Sequence, residues 1–88
     1  MTFAIQIKRN AQKALAKIPL PFQKNIIDAI YKLAENPHPN GCKKLTGKEA
    51  WRIRISDYRV IYEVNNNQLL IFVIEVGHRK EIYRSNLL

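Results

Sequence analysis

Between Trp51 and Tyr62 the chain reads Trp-Arg-Ile-Arg-Ile-Ser-Asp-Tyr-Arg-Val-Ile-Tyr, and this alternation of apolar residues with arginines around a polar dipeptide leaves little choice but a β-hairpin. Side chains alternate faces along a strand, so Trp51, Ile53 and Ile55 point one way and Arg52 and Arg54 the other. A two-residue loop at Ser56-Asp57 would set Ile55 opposite Tyr58, Ile53 opposite Val60 and Trp51 opposite Tyr62, making one continuous apolar face. The same register sets Arg54 opposite Arg59. Like charges directly across a strand pair repel, so their placement points to an anionic partner, with phosphate the obvious candidate.

The elements around this hairpin follow from periodicity. Phe3, Ile5 and Ile7 alternate with Ala4, Gln6 and Lys8, which predicts a first strand with one buried face. A short helix is expected next, capped by Asn10, carrying Ala11, Ala14, Leu15 and Ile18 at helical spacing and stopped by Pro19. Pro21 suits the first turn of a second helix whose stripe of Phe22, Ile26, Ala29, Ile30 and Leu33 faces the core, with Lys24, Asp28 and Lys32 toward water. From Pro37 to Lys48 the prolines, glycines and lysines predict an exposed basic loop. Asn66-Asn67 reads as a second two-residue turn, and the unbroken apolar run from Leu69 to Ile74 as a central strand covered on both faces. That register pairs Ile74 with Arg59, brings His78 onto the arginine face by parity, and turns Arg79 away unless Gly77 introduces a bulge.

Eighty-eight residues suit a single domain, 1–88, with one modest core. Fifteen Lys and Arg against seven Asp and Glu give a net charge of +8, which fits a protein that meets nucleic acid or an acidic partner, although a merely solvated basic surface is the competing reading. The lone Cys42 excludes an internal disulfide, and no signal peptide opens the chain, so the reducing cytoplasm is the expected compartment. No apolar run reaches membrane-spanning length, and no membrane partner is expected. His38, His78 and Cys42 lack metal-ligand spacing, so neither a metal nor a cofactor is expected.

The whole pattern resembles a known family. A strand, two helices and a three-stranded antiparallel meander carrying W-R-I-R-I-S-D-Y-R-V-I-Y-E-V and ending in V-G-H-R-K-E-I-Y-R are similar to toxins of the RelE/ParE superfamily, close to the RelE branch. The resemblance spans essentially the whole chain. It implies a small α+β fold, in which an N-terminal strand and two helices pack on an antiparallel sheet completed by the C-terminal meander. It also implies a cognate antitoxin that wraps the toxin and, for the RelE branch, cleavage of messenger RNA in the ribosomal A site. By position, Arg52 and Arg54 match the branch's basic strand pair, Arg59 the arginine after the hairpin aromatic, and Arg79 and Tyr83 the C-terminal arginine and tyrosine. His78 falls where relatives bear a catalytic histidine.

Cutting RNA by its own 2′-hydroxyl needs a base for that proton, an acid for the departing 5′-oxygen and cations for the charge growing on phosphorus. Arginine meets the last need with a planar, permanently charged fork, and is a poor base. RelE-type sites have lysines where this chain has Arg52 and Arg54, so the general base must come from elsewhere. His78 is expected to serve as acid or base, and its competing role is a hydrogen bond to the backbone beside Gly77. Tyr83 is expected to stack on an exposed base. Lys43, Lys44, Lys48 and Lys80 are expected to attract RNA phosphates without regard to sequence, or else to be ordinary solvated lysines. Two other function classes stay open: a ParE-type toxin that poisons DNA gyrase by binding, and a non-catalytic RNA-binding module.

Overall fold

The computed structural model describes residues 2–47 and 49–78. Strand β1 (Ala4–Ile7) leads into helices α1 (Arg9–Ala16) and α2 (Leu20–Lys32), followed by strands β2 (Lys43–Lys44), β3 (Ala50–Ile55), β4 (Tyr58–Asn65) and β5 (Leu70–His78). The five strands form one sheet in the order β1-β5-β4-β3-β2. All neighbours are antiparallel except β1, which runs parallel to β5 and reaches it through the helical crossover that a parallel pairing requires.

The expected α+β arrangement is present, and the β3–β4 hairpin has the register its sequence dictates. Ile55 stands opposite Tyr58, Ile53 opposite Val60, Trp51 opposite Tyr62, and Arg54 opposite Arg59. Ser56 takes φ +56°, a positive value at the first loop position of a two-residue hairpin turn. Helix α1 starts two residues earlier than a cap at Asn10 would place it, with Lys8 at the N-cap and no capping side chain. The reason lies in the sheet: the Lys8 amide donates to Val73 O at 2.8 Å, so the β1–β5 ladder carries on to the residue where the helix must begin. Pro21 does sit in the first turn of α2. Phe22 departs from the expected core stripe: it is 41% exposed and leans on Tyr58, with ring centroids 5.7 Å apart.

Ile26, Ile30 and Leu33 of the second helical segment close over Val60, Tyr62, Ile71 and Val73, all of them buried. This is the main core, on the helix side of the sheet. The opposite face holds a second, smaller cluster of Leu45, Ala50 and Ile61 with Ile74 against it. It forms because part of the expected loop is ordered as β2, where Lys43 pairs with Arg52 and Lys44 with Trp51, and Leu45 is drawn under the sheet. Lys48 lies outside the described residues.

The β4–β5 register differs from expectation in two ways. The turn is longer than Asn66-Asn67: Asn65 pairs with Leu70, the Asn65 side chain accepts from the Gln68 amide at 2.9 Å, and Leu69 takes φ +51°. A bulge then follows, with Ile61 opposite Glu75 and Tyr62 opposite Val73, so Ile74 is an extra residue in β5. The longer turn preserves parity and the bulge reverses it. Arg59 therefore faces Gly77, not Ile74, and His78 faces Tyr58. Of the apolar run in β5, Ile71 and Val73 are buried on the helix side while Phe72 and Ile74 are half-buried on the other, so cover is complete on one face only.

Tyr62 fastens the loop that precedes β2 to the core. Its hydroxyl donates to Pro37 O at 2.6 Å, and burial, with Cys42 as a secondary influence, pushes its pKa well above the usual tyrosine range. Tyr62→Phe leaves that carbonyl short of a partner and should cost about 1 to 2 kcal/mol, lowering Tm by about 4 to 8 °C per kcal/mol in a domain of this size. Because the folded-state pKa is raised, the Tyr62 contribution is full below the unfolded tyrosine pKa of about 10 and is lost as pH rises above it. Thermal melts from neutral pH to pH 11 should show the variant losing less stability in alkali than the parent protein.

Candidate nucleic-acid interface

The sheet face turned away from the helices gathers cations from three adjacent strands. Arg52 and Arg54 of β3 share it by alternation, Arg59 of β4 stands opposite Arg54, and Lys43 of β2 stands opposite Arg52. Two directly opposed like-charged pairs therefore lie side by side. Each costs stability in isolation, so together they mark a surface shaped for an anion. Lys43 and Arg54 are exposed and Arg52 is half-buried, which leaves three side chains able to reach a ligand from solvent. The Arg54 Nε lies 3.4 Å from Ser56 O, which draws that guanidinium toward the hairpin tip.

Arg59 was expected to meet an anionic partner together with Arg54. It is only 5% exposed, on the same face as Ile61 of its own strand and opposite Gly77. Its role here is to support the cationic surface from beneath more than to present a free fork. Glu75 also faces this side, opposite Ile61, because of the bulge at Ile74. No periodicity in β5 could have placed it there.

The expectation that His78 joins the arginines is overturned. The single extra residue in β5 reverses every side chain beyond it, and His78 emerges on the helix side, its ring edge-on to Tyr58 at a centroid distance of 5.6 Å. There it lines a cleft with Asn10, Lys13 and Lys17 of the α1 segment. Lys44 also turns away from the arginine face, opposite Trp51, with its Nζ 3.5 Å from a Glu49 carboxylate oxygen. Trp51 lies on the core side, as parity requires, with the His38 ring edge-on at 4.2 Å. Arg79, Lys80 and Tyr83 lie outside the described residues. Lys43 gains a stronger place than its loop position suggested, because a two-residue strand leaves no periodic signal in a sequence.

The family model for the ParE toxin of type II toxin-antitoxin systems matches residues 5–83. The chain belongs to this family. Relatives carry RelE names and place it more broadly among RelE-like type II toxins of the RelE/ParE superfamily. A RelE-like toxin protein of Escherichia coli is 28% identical over 82 residues, covering 91% of this chain and 86% of the relative. Toxin RelE1 of Methanocaldococcus jannaschii is 29% identical over 89 aligned positions, covering 97% and 99%. The RelE of the RelE–RelB complex from Pyrococcus horikoshii superposes with a TM-score of 0.80 at 29% identity, over 90% of this chain and 97% of that one.

The contrast in burial across the opposed arginines generates a stability test for this toxin. Arg54→Ala removes an exposed charge and relieves repulsion, so Tm should hold or rise slightly. Arg59→Ala empties a buried site and should destabilise by about 1 to 3 kcal/mol. Melting both purified variants beside the parent checks the pair; equal Tm values would mean that the buried arginine contributes nothing to packing.

Proposed function

We propose that this toxin is a ribosome-dependent messenger-RNA endonuclease that arrests translation, and that the cationic sheet face holds the scissile phosphate. The observation that carries the reading is the pair of opposed cations, Lys43 with Arg52 and Arg54 with Arg59, on one open face of a chain whose relatives bear RelE names. Arg52 and Arg54 bind the phosphate oxygens and stabilise the charge that grows on them, Lys43 adds a further contact, and Arg59 positions Arg54 from the facing strand. The vicinal 2′-hydroxyl attacks phosphorus and the 5′-oxygen leaves, giving a 2′,3′-cyclic phosphate or its opened form and a 5′-hydroxyl. No metal is required for that displacement.

With His78 on the other side of the sheet, acid–base help falls to Glu75 on the cationic face, to Tyr83 in the segment after β5, and to the ribosome, while Arg79 is assigned phosphate-binding charge. A chain this rich in phosphate-binding charge and this thin in proton-transfer groups depends on a second body to align the RNA, which the A site provides. The same reading places the toxin in the cytoplasm. The Pyrococcus horikoshii RelE is solved with RelB, and by extension we assign this toxin a cognate antitoxin.

The matched family model is that of ParE toxins, so a gyrase poison acting by binding is the second reading. Substrate and product separate the two. On programmed ribosomes the purified toxin should cut message far faster than naked RNA, and EDTA should act only through its effect on ribosomes. A 2′-deoxy sugar at the cleaved position should block cutting, while the same sugar one nucleotide away should not. Intact message together with accumulating gyrase-linked DNA breaks would replace the endonuclease reading with the ParE-type one.

Arg54→Ala should lower single-turnover cleavage by roughly thirtyfold to a thousandfold, the scale of losing about 2 to 4 kcal/mol of transition-state stabilisation, with Tm unchanged. Undiminished cleavage would take Arg54 out of the site. Glu75→Gln tests the carboxylate in the same assay: a fall of roughly a hundredfold is the scale of general acid–base catalysis, and an unchanged rate would leave proton transfer to the C-terminal residues and the ribosome.

A further inference from the structure

The helix side of the sheet carries a second basic site, separated from the arginines by the sheet itself. A cleft of about 550 Å3, within the range that ligand pockets occupy, is lined by Asn10, Lys13, Ala14, Lys17, Tyr58 and His78, among others. Asn10, Lys13 and Lys17 recur at spacings of three and four, so they project from one side of the α1 segment. Tyr58 and His78 are adjacent across β4 and β5, half-buried, with their rings edge-on.

Two alternatives explain only part of this. Lys13 in the last turn of α1 complements the helix dipole, yet Lys8 and Arg9 stand at the opposite end, where positive charge is unfavourable and the first turn holds no acidic residue. The helix is basic along its whole length, which the dipole does not account for. The aromatic pair could be ordinary core, yet both rings line a cleft and Phe22, which leans on Tyr58, is 41% exposed. Lysines interleaved with accessible aromatic rings are the arrangement that single-stranded RNA uses, phosphate on the cations and an unstacked base on the rings. An acidic peptide would satisfy the lysines and leave the rings unused.

We propose that this cleft is a second RNA site that takes one unstacked nucleotide of a single strand, its base against Tyr58 and His78 and its phosphate between Lys13 and Lys17. The proposal rests on the RNA-directed reading above but not on cleavage. It assigns the toxin two RNA-binding surfaces on opposite sides of one sheet, suited to a crevice walled by RNA. His78 thereby has a binding role instead of a proton-transfer role.

The test uses the full chain and a 2′-O-methylated single-stranded dodecamer carrying one 2-aminopurine, which cannot be cut by 2′-hydroxyl attack. Affinity and fluorescence are measured from 50 to 300 mM salt. Lys13→Gln with Lys17→Gln, both exposed positions on a helix that glutamine suits, should weaken binding roughly tenfold and reduce the slope of log K against log salt by about 0.7, the value for one single-strand phosphate. Tyr58→Leu, with folding checked by its Tm, should relieve the quenching of 2-aminopurine and weaken binding roughly fivefold to a hundredfold. An unchanged slope and affinity in the lysine variant would overturn the cleft and leave the cationic face as the RNA site. Failure of the parent protein to bind the oligonucleotide at 50 mM salt would also overturn the cleft; continued cutting of ribosome-bound message would then show that the endonuclease reading survives it. An oligoglutamate peptide that displaces the RNA and shows the same lysine dependence would reassign the cleft to an acidic protein partner.

Discussion

The extra residue in β5 decides which chemistry belongs to which side of the sheet. Val73 and Val76 are three apart and both buried in the main core, a spacing that a regular strand forbids and that the bulge at Ile74 supplies. Ile74 is thereby freed to pack beside Ile61, and Glu75 and Gly77 fall on the cationic face while His78 falls on the other. A strand without the bulge would have to bury Glu75 among the helices or expose the valines, either at a cost far above that of one irregular residue. The separation of His78 from the arginines is thus a consequence of core packing.

The cationic face is sustained by what lies under it. Arginine side chains opposed across a strand pair would ordinarily splay apart, but Leu45, Ala50, Ile61 and Ile74 form a small apolar cluster on this same side. Order is supplied there by burial, so repulsion need not be offset by the charged groups themselves. Arg59 shows the arrangement at its limit, a cation only 5% exposed on the strand opposite Arg54. Arg54, exposed on the facing strand, is where the cationic face meets solvent.

The hairpin from Trp51 to Tyr62 was legible residue for residue, because alternation and loop length fix register together and the Ser56-Asp57 loop leaves a single solution. Helix α2 and the core positions Ile26, Ile30 and Leu33 followed from spacing. What failed was the counting of residues across the second turn. Asn66-Asn67 looks like a two-residue loop, but the Asn65 side chain gives Gln68 a local partner and stretches the turn to four residues. The bulge that follows leaves no trace in an apolar run, where every residue is acceptable on either face. The cap at Asn10 failed for a different reason: the sheet hydrogen bond of Lys8 fixes where the helix can begin, and a tertiary constraint outweighs a capping preference of about 1 kcal/mol.

Charge could be counted from the sequence but not placed. Fifteen basic residues in eighty-eight are compatible with one patch or several, and only the fold shows that cations of α1 and cations of β2, β3 and β4 are divided between the two sides of the sheet. A single basic face attracts a polyanion and lets it slide, whereas two opposed faces orient a protein between anionic walls, because turning it over exchanges unlike surfaces. One face here is arginine on a β-sheet, and the other is lysine on a helix beside aromatic rings. The first suits bidentate contacts with one phosphate and the second suits looser attraction with base stacking. On the endonuclease reading proposed above, orientation between RNA walls would add to the cations at the scissile phosphate, and a chain with few proton-transfer groups would depend on its surroundings for the remainder of catalysis.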